Sequence, residues 1–186
     1  MSVSACTINR DTSPPWLIAE LRSDHAGELG AVMIYRGILA VSTSASVRAF
    51  AAEHLTTEQN HLGLIETILP SSERSRLQWP WRMAGWLIGA IPALISDQWV
   101  YATIEAVETF VDEHYQLQLN RLNSELPHHP VRAILAQCQA DEIAHKHDAA
   151  TRLAAASSGA QSKALGLWRQ TVDLGSRGAV VIARAF

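Results

Sequence analysis

The sequence predicts an all-α domain: a four-helix bundle with one long crossover between its second and third helices and an additional C-terminal helix. Apolar residues recur at helical spacing over four long stretches, and no stretch alternates as a strand does. Short polar loops join these stretches in two pairs, and a much longer segment connects the pairs. The 186 residues suit a single domain, which we place at 16–186 behind a polar N-terminal tail at 1–15.

The first pair of helices follows Pro14 and Pro15. Apolar residues at helical spacing predict a helix over 16–41, and the polar stretch 42–46 predicts a turn. The second helix is predicted over 47–69 and is stopped by Pro70, which cannot continue it. The short turn makes these two helices an antiparallel hairpin.

The second pair begins where Ser96 or Asp97 offers an N-cap for a helix that runs to about 123. A loop follows, and Pro130 suits the first position of a fourth helix that continues to about 156. The stretch 157–162 reads as a linker. A final helix over 163–186 is predicted to be weakened by Gly175 and Gly178.

The crossover at 70–96 is apolar and rich in tryptophan. Its uncharged run between Arg82 and Asp97 is shorter than the ~20 residues that a spanning helix needs, and Pro92 interrupts it. Four of the six tryptophans lie between 79 and 99, and tryptophan favours the headgroup level of a bilayer. We therefore expect 79–97 to lie on a membrane surface without crossing it.

Composition excludes several classes of protein. A net charge of −3 and a pI near 6.2 argue against a nucleic-acid partner, because such proteins carry clustered basic surface. Cys6 and Cys138 lie too far apart in sequence to suggest a disulfide framework or a cysteine metal site. The N-terminus lacks the pattern of a secretory signal, so we expect a cytoplasmic chain.

Two of the predicted bundle helices carry the motif Glu-x-x-His. Residues three apart lie on one face of a helix, so Glu58 stands beside His61, and Glu142 beside His145. Chance alone gives such a motif now and then. A third copy, at 125–128, shows this, because it contains Pro127 and lies in a loop where it cannot present a helical face.

The other two bundle helices each place one carboxylate among apolar residues, Glu28 and Glu108. Counted from the turns at a rise of ~1.5 Å per residue, the two acidic residues of each hairpin reach about the same level. If the crossover travels back along the bundle, all four carboxylates share one layer.

Four glutamates and two histidines in one layer of such a bundle are the ligand set of carboxylate-bridged di-iron and di-manganese proteins. Buried without compensation, these ionisable groups would each cost several kcal/mol, and a pair of divalent metals supplies the compensation. The predicted ligands are Glu28, Glu58, His61, Glu108, Glu142 and His145. Glu58 and Glu142 are candidate bridges, although the sequence does not decide which glutamates bridge.

Several residues near the predicted ligands leave alternatives open. Glu105 is the main rival of Glu108, and Asp112 is the next. Metal-bound histidines usually donate their second N–H to an acceptor, and polar residues nearby are candidates for orienting them. These candidates are Asp24, His25, His114, Asp141 and Asp148. Core packing is the expected role of Tyr101, Tyr115 and Cys138, with redox chemistry or hydrogen bonding as the alternative for the two tyrosines. Lys146 and His147 are expected to face water.

Five segments occur in the sequence in this order: "HAGELGAVMIYRG", "EQNHL", "LIGAIPAL", "AVETFVDEHY" and "DEIAHKHD". On these segments the chain resembles the demethoxyubiquinone hydroxylase family of ubiquinone biosynthesis, and the resemblance covers about residues 20–186. It implies a ferritin-like di-iron monooxygenase with the six ligands named above, and it favours Glu108 over Glu105.

The resemblance also implies a function and partners. We expect O₂-dependent hydroxylation of the ring of a polyprenyl demethoxyubiquinol at two irons, with electrons from NADH or from the quinol itself. A peripheral position on the cytoplasmic face of a bacterial inner membrane is expected, with a lipid-binding partner protein or a second copy of the chain as a further partner. The alternatives are a ferritin-like iron-binding or peroxide-handling protein and a non-enzymatic lipid-binding bundle.

Overall fold

The computed structural model describes residues 8–156 and 163–186, and the regular structure in these ranges is helical throughout. The six α-helices are α1 (Pro15–Val41), α2 (Ala45–Ile68), α3 (Gln78–Ile95), α4 (Asp97–Glu125), α5 (Val131–Ala156) and α6 (Lys163–Ala185). A short 3₁₀ helix at Ser71–Glu73 precedes α3. The predicted all-α, ferritin-like bundle with a C-terminal helix is confirmed. The predicted linker at 157–162 and residues 1–7 of the predicted tail lie outside the described residues.

Helices α1, α2, α4 and α5 form the bundle, and their ends follow local sequence signals. The Ser44 hydroxyl accepts a hydrogen bond from the amide of Val47, so α2 begins two residues earlier than predicted. The Ser96 hydroxyl accepts from the amide of Trp99, which selects Ser96 over Asp97 as the N-cap of α4. A serine at this position satisfies an amide that the helix itself leaves unpaired.

Two apolar clusters fill the bundle, one on each side of a buried polar layer. One cluster includes Tyr35, Phe50, Val100 and Leu153, and the other includes Leu21, Ile65, Leu122 and Leu135. Along each bundle helix, the buried charged residues come between the members of the two clusters. The core therefore holds its ionisable groups at mid-height, where water is excluded from both ends.

The predicted crossover contains α3, which packs along α1 with the two backbones in close contact. A Cβ atom added to Gly89 would lie 1.9 Å from the carbonyl oxygen of Ile34, and one added to Gly85 would lie 2.4 Å from that of Gly30. Gly37 on α1 meets the carbonyl oxygen of Trp86 in the same way, at 2.3 Å. These glycines allow an approach that any side chain would prevent.

The segments outside the bundle are tied together at one end of the molecule by Glu73. Its carboxylate accepts hydrogen bonds from Arg10 and Arg22, at 2.5 Å from Arg10 Nε and 3.1 Å from Arg22 Nη2. Arg22 also donates to the carbonyl of Arg184, near the end of α6. The amide of Ile8 donates to the carbonyl of Ile68, and the Ile8 side chain is buried, so this part of the predicted tail packs on the bundle.

The length and hydropathy of the helices bear on membrane contact. Within 8–156 and 163–186, no helix is long and apolar enough to pass through a bilayer. This agrees with the prediction that the run between Arg82 and Asp97 does not cross a membrane.

We predict that Gly89→Ala destabilises the protein by about 2 kcal/mol or more, because the added methyl group must push α3 away from α1. The matched control is Gly63→Ala in α2, where nothing lies within 4 Å of an added Cβ. This control should leave stability unchanged or raise it by up to about 1 kcal/mol, the helix propensity difference. Urea unfolding of both variants measures the effect, and equal midpoints would show that the α1–α3 contact is not close.

Candidate metal centre

The six side chains predicted as metal ligands come together in the polar layer. One comes from α1 (Glu28), two from α2 (Glu58 and His61), one from α4 (Glu108) and two from α5 (Glu142 and His145). Each is at most 7% exposed. Two helical hairpins of similar length, linked by a crossover that returns along the bundle, bring these positions to one level, as the residue counts predict.

The six residues fall into two overlapping groups whose potential ligand atoms lie within 4.8 Å of one another. One group comprises Glu28, Glu58, His61 and Glu142, and the other comprises Glu58, Glu108, Glu142 and His145. Glu58 and Glu142 belong to both groups, whereas Glu28 and Glu108 belong to one each. Glu58 and Glu142 would therefore be within reach of two ions, and each histidine within reach of one.

The histidine of each Glu-x-x-His motif lies close to the glutamate of the other motif. His61 Nδ1 lies 3.0 Å from Glu142 Oε1 and 3.7 Å from Glu28 Oε2. His145 Nδ1 lies 3.0 Å from Glu58 Oε1 and 3.4 Å from Glu142 Oε2. Each imidazole therefore directs Nδ1 into the cluster.

Several of these atoms are buried without a hydrogen-bond partner. They are Glu28 Oε2, Glu58 Oε1, Glu142 Oε2 and His145 Nδ1. Glu58 Oε1 and His145 Nδ1 approach within 3.0 Å and still do not form a hydrogen bond of acceptable geometry. Buried polar atoms without partners cost free energy, and oxygen and imidazole nitrogen donors converging on one place are what a transition metal binds. The residues present therefore fit a pair of divalent metals.

The charges of the metal-free site are strongly perturbed. Burial, followed by the charge of Glu142, raises the pKa of Glu28 to about 7 and raises the pKa of Glu58 and Glu108 well above the ordinary value. Burial acts in the same direction on Glu142, but the His145 imidazole, 3.4 Å away, and the hydrogen bond with His61 outweigh it and hold the pKa of Glu142 at about 2. Without metal, burial therefore favours the protonated form of Glu28, Glu58 and Glu108, whereas the imidazoles favour the ionised form of Glu142.

The pKa of His61 shows the same coupling. Burial alone would lower it, yet the hydrogen bond to Glu142 and the charge of Glu28 raise the pKa of His61 to about 10. A metal must displace this proton to bind Nδ1.

Three residues contact the ligands from outside. The Tyr115 hydroxyl donates to Glu28 Oε1 at 2.5 Å, and the Tyr35 hydroxyl donates to Glu108 Oε1 at 3.1 Å. Asp141 Oδ2 lies 3.1 Å from His61 Nε2. These contacts leave the second carboxylate oxygen or the Nδ1 atom free to face a metal. Tyr115 packs in the apolar core, as expected, and it also forms the hydrogen bond that was the alternative.

Of the residues predicted to orient ligand histidines, only Asp141 contacts one. Asp24 lies 3.2 Å from His114 and accepts from Gln118 at 2.6 Å, and His25 lies 3.3 Å from Glu66. Asp148 lies 3.1 Å from His54, which is not a predicted ligand. The sequence predicted the helical faces on which these residues lie, but it did not predict which side chains of neighbouring helices they contact.

The rivals of Glu108 lie outside the cluster. Glu105 pairs with Arg169 of α6. Asp112 accepts from Lys146 at 2.5 Å and from Gln139 at 2.9 Å, so the prediction that Lys146 faces water is wrong. Of the remaining residues, His147 is exposed, Cys138 is fully buried in the apolar core, and Tyr101 packs edge-on against Phe50, as expected.

Sequence reasoning missed two residues beside the site, Tyr35 and His54. Tyr35 follows Glu28 by seven positions and His54 precedes Glu58 by four, so both continue the faces that carry the ligands. Their positions on the ligand-bearing faces could be predicted from the sequence. Their contact with each other, between α1 and α2, could not.

A cavity of about 430 Å³ opens on one side of the cluster. All four glutamates line it, and its walls are apolar side chains of α1, α3, α4 and α6, among them Ile34, Trp81, Ile88 and Phe110. On α6 the wall consists largely of small residues, namely Gly175, Ser176, Gly178, Ala179 and Ala183. Such a cavity admits an apolar molecule to the carboxylates and excludes bulk water.

A bundle with Glu-x-x-His on two helices and a single glutamate on each of the other two has the fold and residue arrangement of the ferritin-like dimetal-carboxylate proteins. The chain belongs to the family described as Ubiquinone biosynthesis protein COQ7, whose model matches residues 16–183. This match confirms the family predicted from the sequence.

The chain is similar to family members from several organisms. It is 36% identical to "3-demethoxyubiquinol 3-hydroxylase" of Rhodospirillum rubrum over 73% of its own length and 65% of that protein's. It is 30% identical to "NADPH-dependent 3-demethoxyubiquinone 3-hydroxylase, mitochondrial" of Caenorhabditis elegans, over 88% and 87% of the two chains. A protein of the same name from Dictyostelium discoideum is 31% identical over 68% of this chain and 60% of that one. The matched region thus spans less than two thirds of the bacterial and slime-mould relatives.

We predict that the metal-free protein loses stability as pH rises from about 6.5 to about 8.5. Glu28 has a folded pKa of about 7 against an ordinary value of 4.5, so the unfolded chain releases this proton at lower pH than the folded protein does. Rising pH therefore stabilises the unfolded chain relative to the folded protein. Glu58 and Glu108 act in the same direction. The raised pKa of His61 adds to the loss, because its stabilisation is complete below 6.5 and fades toward 10. The lowered pKa of Glu142 adds nothing in this range, since its stabilisation is already complete above 4.5.

Urea unfolding of chelator-treated protein measures this dependence. Glu58→Gln is the matched variant and should reduce the slope of stability against pH, because it removes one of the titrating carboxyls. A metal-free protein that becomes more stable across the same range would contradict the charge distribution described above.

Proposed function

We propose that the protein is a di-iron hydroxylase that uses O₂ to hydroxylate the ring of a polyprenyl demethoxyubiquinol in ubiquinone biosynthesis. The observation that carries the proposal is the six-residue cluster at the floor of an apolar cavity. The names of the relatives, which are hydroxylases acting on demethoxyubiquinol or demethoxyubiquinone, support the substrate class.

Each half of the cluster would hold one iron. Glu28 and His61 would bind one ion, Glu108 and His145 the other, and Glu58 and Glu142 would contact both. The irons would supply the activation of O₂, which no protein side chain provides.

The chain's own residues do the rest. Tyr115 and Asp141 fix the orientation of Glu28 and His61 through the hydrogen bonds described above. The apolar walls would hold the quinol ring beside the carboxylate cluster. They would also exclude water, which prevents side reactions with the solvent. A nicotinamide nucleotide is the proposed electron source, directly or through the quinol, since the nematode and slime-mould relatives are named as NADPH-dependent.

The direct test is a single-turnover reaction of iron-loaded protein with O₂, NADH or NADPH, and a short-tailed demethoxyquinol. We expect a quinol heavier by one oxygen atom, detected by mass spectrometry, and ¹⁸O₂ should label it. Glu142→Ala should abolish the product together with iron binding. Iron oxidation with no hydroxylated quinol would instead favour an iron-handling protein.

A matched pair of glycine variants tests the role of the cavity. Gly178 lines the cavity and nothing lies within 4 Å of an added Cβ, so Gly178→Leu should fill the cavity and reduce turnover at least about tenfold while iron content stays unchanged. Gly166→Leu places the same side chain on α6 away from the cavity and should retain activity. Equal activity of the two variants would show that the quinol ring does not enter this cavity.

We further propose that the segment 79–97 rests on the cytoplasmic face of a bacterial inner membrane. Large apolar side chains follow one face of α3 and are exposed: Trp79 (71%), Met83, Leu87, Ile91 and Leu94 (71%). The neighbouring face of the same helix, with Trp81, Ala84 and Ile88, lines the cavity. A polyprenyl substrate could therefore pass from the lipid to the cavity without crossing water.

Vesicle flotation tests this contact. Leu94→Ser and Trp79→Ser should each reduce binding to liposomes of bacterial phospholipids, because an apolar side chain is lost from the interface. Leu117→Ser removes a leucine of similar exposure (68%) from α4, and it should bind as the unaltered protein does. Binding that is the same for all three variants would exclude α3 as the membrane surface.

A further inference from the structure

A row of hydrogen-bonding groups leads from the metal cluster to the surface on the side of α2 and α5. The Tyr35 hydroxyl lies 3.1 Å from Glu108 Oε1 and 3.3 Å from His54 Nδ1. His54 Nε2 lies 3.1 Å from Asp148 Oδ2, and Arg152 Nε donates to Asp148 Oδ1 at 2.8 Å. Both nitrogens of His54 therefore have partners, and Tyr35, His54 and Asp148 do not line the cavity.

His54 also contacts a second residue of the cluster. Its ring stacks on that of His145, with centroids 4.1 Å apart and planes inclined by 26°. Its other neighbour is Phe50, at 4.2 Å between centroids. His54 is only 4% exposed and lies beside an apolar core cluster, where an aliphatic side chain would cost less to bury.

The two contacts of this row reach the same half of the cluster. Glu108 and His145 belong to one of the two groups and are absent from the other. In the other group, Glu28 is held by Tyr115 and His61 by Asp141, and neither contact involves His54. The supports of the two halves are therefore separate.

We propose that His54 is a positioning residue for one metal of the pair, holding Glu108 through Tyr35 and His145 by stacking. The inference rests on the proposed dimetal centre. Asp148, itself fixed by Arg152, anchors the imidazole at its outer nitrogen. Loss of His54 removes the second hydrogen-bond partner of Tyr35 and the ring that stacks on His145. The ion beside Glu108 and His145 is then bound less tightly, and the other ion is unaffected.

The experiment is an anaerobic Fe(II) titration of the metal-free full chain, followed by Mössbauer spectroscopy of the ⁵⁷Fe-loaded protein. His54→Leu should bind its first iron with unchanged affinity and its second at least about tenfold more weakly, the range that loss of a ligand-orienting partner produces. The spectrum should lose one of two site signals at limiting iron. Tyr35→Phe, which keeps the ring and removes the hydroxyl, should weaken the same ion. His54→Gln should restore part of the affinity.

His147→Leu is the control, since it removes an exposed histidine from α5 and should bind both irons normally. Unchanged affinity for both irons in His54→Leu and Tyr35→Phe would overturn the proposal, and so would equal weakening of both ions, which is the mark of a general packing defect. Failure of the unaltered chain to bind two irons would instead reject the dimetal centre, and this outcome is distinct from the other two.

Discussion

The structure depends on the burial of four carboxylates and two imidazoles in one layer. Such a layer is unfavourable in an apolar core unless opposite charge compensates it, and the imidazoles of His61 and His145 beside Glu142 compensate only one of the carboxylates. Burial of the two apolar clusters, one on each side of the layer, contributes the folding free energy that offsets the cost of burying these groups. The similar lengths of the hairpins and the returning crossover follow from the same requirement, because any change in register would separate the six groups.

The two helices outside the bundle convert this layer from a closed core into an open site. Helix α3 packs so closely on α1 that only glycine fits at Gly85 and Gly89. Helix α6 covers the opposite wall with small side chains and is fixed by Trp168, whose indole donates to Thr103 at 2.8 Å, and by Arg184, which pairs with Glu20. Glycines on α3 and small residues on α6 therefore let both helices approach the bundle, and the cavity lies between them.

The sequence predicted the helices and the six converging side chains because both depend on spacing along a single helix. Glu58 with His61, and Glu142 with His145, are fixed by the helical period, and their common level follows from counting residues to the turns. The partners across helices were predicted less well. Asp148 and His25 lie on the expected faces, but rotation of one helix against another decides that Asp148 meets His54 and that His25 meets Glu66. Glu105 and Glu108 lie about one turn apart, and the ion pair of Glu105 with Arg169 of α6 explains why Glu105 lies outside the cluster.

We propose that these six residues bind two metal ions, with Glu58 and Glu142 common to both. Anomalous diffraction at the iron absorption edge, from crystals grown anaerobically with Fe(II), measures this directly. We expect two iron peaks in the polar layer, one beside Glu28 and His61 and one beside Glu108 and His145, with Glu58 and Glu142 in contact with each. A single peak, or iron bound elsewhere while the six side chains keep their hydrogen bonds, would contradict it.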